Sequence, residues 1–90
     1  MTVAGTLAPD VTGQYSEDGQ INSRMSYKHP TLDFWISYWP TNGDYVLGNT
    51  HDPEAVTPEA AWVDDGVDDT PAGTYAPAMG CAGVPTITGP

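Results

Sequence analysis

Glycine and proline set the first limit on this chain. Ten glycines and nine prolines are spread along 90 residues, so a backbone breaker arrives about every five residues. Most helices run longer than that interval, and both residues weaken a helix interior. Short strands joined by turns are what remains. Nine aromatic residues, including Trp35, Trp39 and Trp62, give such strands enough apolar mass to pack, so the chain is not expected to be disordered. One small domain is the most that 90 residues support.

Period-two patterning supplies the strands. Leu32, Phe34, Ile36 and Tyr38 alternate with Asp33, Trp35, Ser37 and Trp39, as in a half-buried strand over 32–39. Pro40-Thr41-Asn42-Gly43-Asp44 follows, and its Asn-Gly predicts a hairpin into Tyr45-Val46-Leu47-Gly48. Upstream, residues 12–16 read as a strand. Glu17-Asp18-Gly19-Gln20 reads as its turn, and 21–27 as the return, with Ile21, Ser23, Met25 and Tyr27 on one face. Ala61-Trp62-Val63 and Ala72-Gly73-Thr74-Tyr75 are further candidates. Gly13-Gln14-Tyr15 and Gly73-Thr74-Tyr75 repeat one pattern, and the two segments are candidates to pair with each other. The one helical candidate is a single turn over 58–62, with Thr57 as cap and Pro58 at the first position. A loop leading into a strand at 61–63 reads equally well.

The expected fold is therefore all-β: a small antiparallel meander of about four to six strands. Residues 1–11 read as an N-terminal arm, 12–76 as the β domain and 77–90 as an extended C-terminal tail.

Charge narrows the partners. Twelve Asp and Glu face Arg24 and Lys28 alone, for a formal net charge of -10. A nucleic-acid backbone needs Lys and Arg to displace its counterions, so nucleic acid is excluded as a partner. Anionic membrane surfaces are excluded on the same ground, and no stretch approaches the length of a membrane-spanning helix. Asp64, Asp65, Asp68 and Asp69 surround Gly66 and are the best candidates for a metal, with calcium the fitting ion. Their spacing departs from the EF-hand pattern, and a solvated acidic turn is the favoured reading of them. No cofactor is otherwise expected.

Catalytic constellations are missing from the sequence. His29 and His51 are the only histidines, and no Gly-x-Ser-x-Gly motif supplies a nucleophile. Cys81, the single cysteine, has no basic neighbour to activate it and reads as a small buried residue or an inert thiol. The expectation is that the chain is not an enzyme.

Trp35, Trp39, Tyr45 and Trp62 pose the main functional question. Either the chain's own arms cover both faces of the sheet, or these rings form an exposed aromatic platform for a sugar or a protein. In the tail, Val84 and Ile87 are the candidates for assembly contacts.

Four segments carry a resemblance. Thr12-Gly13-Gln14-Tyr15, Asp18 to Lys28 with its Asn22-Ser23-Arg24, Asp33-Phe34-Trp35-Ile36-Ser37-Tyr38-Trp39, and Pro71-Ala72-Gly73-Thr74-Tyr75 stand in this order. Together they resemble a short β module of tailed-phage virion proteins and some large bacterial surface proteins. That module has Gly-x-Tyr, Asn-Gly-Arg, a Tyr/Ile/Trp strand, a Trp-containing strand and a closing Pro-x-Gly-x-Tyr. Ser23 stands where the module has Gly, and Tyr45 where it has Trp. The resemblance implies a virion protein, made in a host cytoplasm, and assigns no binding residue. A chain from Met1 to Pro90 reads as a whole gene product. The expected function is capsid decoration or cement, or a head-fibre or tail component. Its partners would be the major capsid protein, other virion proteins or further copies of itself. The alternative is a module that binds glycan or a host surface through its aromatic face.

Overall fold

The computed structural model describes residues 1–64 and 70–89. Among the described residues the fold is all-β and holds no helix. Nine strands occur there in chain order: β1 (Thr2–Ala4), β2 (Gly13–Gln14), β3 (Ser16–Ile21), β4 (Arg24–Lys28), β5 (Trp35–Trp39), β6 (Asp44–Gly48), β7 (Ala61–Asp64), β8 (Gly73–Met79) and β9 (Thr86–Thr88). They form one antiparallel sheet in the order β2-β1-β9-β8-β7-β6-β5-β4-β3. The expected meander of about four to six strands was too small, because the segments expected as arm and tail are part of the sheet.

The sheet is nearly closed into a barrel. β2 and β3 stand at opposite ends of the strand order, yet Tyr15 alone separates them in the chain. This run pairs with β1 through Gly13 and Gln14, and with β4 from Ser16 onward. β8 makes the other corner. Its Gly73 and Thr74 pair with β9, and Tyr75 to Met79 pair with β7.

Around the central β1–β9 pair the register is two-fold. Val3 faces Ile87 there. Val3 also faces Gly13 as Ile87 faces Gly73, and Thr2 faces Gln14 as Thr86 faces Thr74. The two Gly-x-Tyr segments therefore do not pair with each other. They occupy equivalent corners. Gly13 and Gly73 have φ of +145° and +146°, a conformation that a Cβ makes costly. Tyr15 and Tyr75 are both buried, and each hydroxyl donates at 2.7 Å to the carbonyl four residues back, Val11 and Pro71. Burial pushes both phenols up from their ordinary value, with Asp64 as a further cause at Tyr75. These two hydrogen-bonded corners fix where the chain changes partner strands.

The first hairpin turns later than its Asp-Gly suggested. Asp18 and Gly19 lie in an irregularity of β3, between Glu17 and Gln20. The turn is Asn22-Ser23, with φ of 56° and 71°, the two positive values of a type I′ turn. Asn22 is held there by its Nδ2, which donates to the Tyr38 carbonyl at 3.0 Å. β5 likewise starts at Trp35 rather than Leu32. His29 explains this: its Nδ1 accepts from the backbone N–H of Thr31 and Leu32 and bends the chain before the strand. Leu32 is left exposed. No helix forms over 58–62. One turn forms earlier, where Val56 N–H donates to the Asp52 carbonyl at 2.9 Å.

The core lies inside the curled sheet. Ile36, Leu47 and Trp62 are directly opposite one another across β5, β6 and β7, and all are fully buried. Met1, Val3, Leu7, Val11, Tyr15, Tyr45, Tyr75 and Ile87 pack into the same cluster. The outer face of β5 and β6 is covered by the segment 49–60. Ser37 Oγ donates to the His51 carbonyl at 2.8 Å, and Val46 and Pro53 are buried there. The radius of gyration is 11.2 Å, below the ~12 Å typical of this length, which leaves no room for protruding arms.

Candidate functional site

A groove opens where the ends of β1 and β9 come against β4 and β6. Met1, Met25, Tyr27, Tyr45, Pro71 and Ala72 are among the residues that line it. Its volume is about 350 Å³. A second hollow of about 400 Å³ adjoins it, sharing Met1 and Tyr27 and adding Tyr15 and Glu17. Strand alternation explains the walls. Tyr27 pairs with Ile36 and Tyr38 with Tyr45, so β4, β5 and β6 send these side chains inward.

The walls are apolar and aromatic, with acid at the rim. Burial pushes the Tyr27 phenol up, and Glu17 and then Tyr45 push it the same way. Glu17 is exposed. Arg24 lies against two of the inward rings: its guanidinium is 4.1 Å from the Tyr38 ring centre and 5.7 Å from that of Tyr45. Its Nη1 is 3.4 Å from the Tyr45 hydroxyl. The Met1 amine donates to the Tyr15 carbonyl at 3.1 Å.

A polar cluster sits on the outer face. The rings of Trp35 and His51 stack at 5.3 Å and 15°. Trp35 Nε1 donates to Asp18 Oδ2 at 2.9 Å, and Lys28 Nζ lies 5.5 Å from the Trp35 ring centre. His51 Nε2 is 2.7 Å from Ser26 Oγ and 3.7 Å from Asp18 Oδ2. A serine, a histidine and an acid thus meet, but in the wrong geometry for a nucleophilic relay. Serine and acid approach the same ring nitrogen, whereas a relay places them on opposite ones. Ser26 Oγ is also buried and donates to the Gly19 carbonyl at 2.8 Å. The trio ties the segment 49–60 to the first hairpin. His29 is equally structural, with Nε2 3.1 Å from the Thr12 carbonyl.

The four rings expected as one platform divide between two faces. Trp35 and Trp39 face outward and are half-buried, with His51 lying over a face of Trp35. Tyr45 and Trp62 face the core and are buried, and Trp62 Nε1 donates to the Gly83 carbonyl at 3.1 Å. The split follows from the register, which puts Tyr45 opposite Tyr38 and Trp62 opposite Leu47. Of the assembly pair, Val84 is 56% exposed, but Ile87 is 1% exposed because β9 is an interior strand.

Asp64 is buried in β7, its carboxylate close to Gly73. Asp65, Asp68 and Asp69 lie outside the described residues. Among the described residues no group of three or more His, Cys, Asp and Glu is arranged to hold a metal. Cys81 is half-buried, and burial raises its thiol pKa. No described helix is long and apolar enough to cross a membrane.

Met1, Glu17, Met25, Tyr27, Pro71 and Ala72 were not expected from the sequence to line a site. Tyr27 and Met25 carried a signal, the alternation of their strand. Met1 carried none, because its position depends on pairing with the corner at Tyr15. The sequence matches no family model, and no curated protein or solved structure matches the chain.

Proposed function

We propose that this chain is a structural protein of a virus particle, a decoration, cement, head-fibre or tail component of a tailed phage. It works by contact with other proteins and not by catalysis. One observation carries the reading. The residues that resemble the virion module are the ones that shape this sheet. Tyr15 and Tyr75 make its corners, Asn22-Ser23-Arg24 its first turn, and Trp35 to Trp39 its strand β5. The module's pattern thus reads as a recipe for a nearly closed β unit. Closure suits a part that docks on a larger assembly, because a sheet with few free pairing groups does not aggregate through its edges. Its strong acidity keeps free copies apart and favours a basic docking surface.

The test is co-sedimentation of the purified chain with particles stripped of it. Saturable recovery in the particle fraction is expected, and a chain that stays in the supernatant would count against the proposal.

A second reading has one observation in its favour. Trp35 and Trp39 share the outer face and keep part of their surface open, as a glycan platform requires. A glycan array with the wild type and Trp39→Ala separates the two readings. Binding lost on substitution favours the glycan, and no binding by either protein leaves the assembly reading.

A further inference from the structure

We infer that the groove bounded by Met1, Met25, Tyr27 and Tyr45, together with the adjoining hollow that holds Glu17, takes an arginine side chain from a basic segment of a partner protein. The inference names the partner chemistry of the assembly proposed above and rests on that reading.

Three features choose this occupant. First, the walls are thioether and phenol rings, which suit a methylene stem and the face of a planar cation. Second, Glu17 stands opposite Tyr27 in the adjoining hollow, where a guanidinium reaching past Tyr27 meets a carboxylate with paired hydrogen bonds. An apolar side chain would fill the same walls but strip water from Glu17 without replacing it. An acidic side chain would be repelled. Third, the chain already uses this chemistry on itself, with Arg24 resting on Tyr38 and Tyr45. The net charge of -10 draws a basic segment toward the surface before any contact forms. The Met1 amine donates to the Tyr15 carbonyl and not to Glu17. The raised Tyr27 phenol agrees with this layout, since burial and then Glu17 raise it. A bound cation would bring it down.

The chain has three methionines: Met1 and Met25 in the groove and Met79 in β8, away from it. This makes methyl-labelled methionine a built-in reporter with its own control. The full chain is titrated with N-acetylarginine methylamide and, separately, with its citrulline counterpart, which has nearly the same shape without the charge. The expected result is a saturable shift of the Met25 methyl with the arginine probe, little shift of Met79, and little response to citrulline. Glu17→Gln and Tyr27→Leu should each weaken binding about two- to fivefold. Glu17 is exposed, so its variant keeps the fold.

Equal response to citrulline, equal movement of Met79, or unchanged affinity in Glu17→Gln would each overturn the assignment. The two readings fail separately. If particles contain the chain while the arginine probe leaves Met25 unmoved, the groove assignment falls and the assembly reading stands. If the probe binds as expected but particles lack the chain, the assembly reading falls.

Discussion

Tyr15 and Tyr75 occupy equivalent corners of one sheet: each buried hydroxyl donates at 2.7 Å to the carbonyl four residues before it. The equivalence extends to the strands beside them. Tyr15 N–H donates to the Met1 carbonyl and Tyr75 N–H to the Pro85 carbonyl, and the intervening β1–β9 pair is centred on Val3 and Ile87. The closure of the sheet depends on both corners, and so does the groove, which is lined by Met1 at the first and by Pro71 and Ala72 at the second.

Tyr15→Phe and Tyr75→Phe should each destabilise the fold by about 1–3 kcal/mol, because each leaves a carbonyl without its donor. Urea unfolding measures this. Neutral behaviour in both variants would show that the hydroxyls do not secure the corners.

Alkali should destabilise the protein through its two corners. Burial raises both corner phenols above their ordinary value of 10.0. A raised phenol contributes stability that is complete below that value and is lost as pH climbs above it. There the unfolded chain releases protons that the folded chain keeps. The expected slope is about 1.4 kcal/mol per pH unit for each tyrosine held protonated. Denaturant melts at stepped alkaline pH check it, and Tyr75→Phe should flatten the slope.

Ser23→Gly should stabilise the protein by about 1–2 kcal/mol, since Ser23 sits at a φ of 71° where a Cβ is costly. Gly73→Ala should do the reverse by about 1–3 kcal/mol, at a φ of +146° beside Asp64. Thermal melting of the two variants gives the signs, and the same sign for both would contradict the account of the turns.

Ser26→Ala should cost about 1–3 kcal/mol, because it removes the link between His51 Nε2 and the Gly19 carbonyl. Hydrogen exchange should then quicken in residues 49–60 and at the hairpin together. Exchange that quickens in one segment alone would show that Ser26 does not join them.

The sequence disclosed class and strands better than closure. β5 and β6 were legible because Ile36 and Tyr38 alternate with Trp35 and Ser37, and Asn42-Gly43 marks their turn. Local chemistry could not place β1 and β9. Val3 and Ile87 are short apolar points among Thr and Ala, and only pairing across nearly the whole chain buries them. The Asp18-Gly19 signal misplaced a turn, because Ser26 donates to the carbonyls of both residues and draws them into an irregular strand. The two Gly-x-Tyr segments were visible as a repeat. Their equivalence was not, since it lies in what each tyrosine bonds. The four rings do not share one face for a simple reason: the register sets Tyr45 opposite Tyr38, on the face away from Trp35 and Trp39, and sequence distance does not show it.

Quantitative mass spectrometry of particles purified from the source tests the central claim most directly, by counting this chain against the major capsid protein. A copy number comparable with that of the capsid protein, or a fixed small number per particle, is the expected result. The first marks decoration or cement and the second a fibre or tail component. Purified particles that lack the chain would contradict the assembly function.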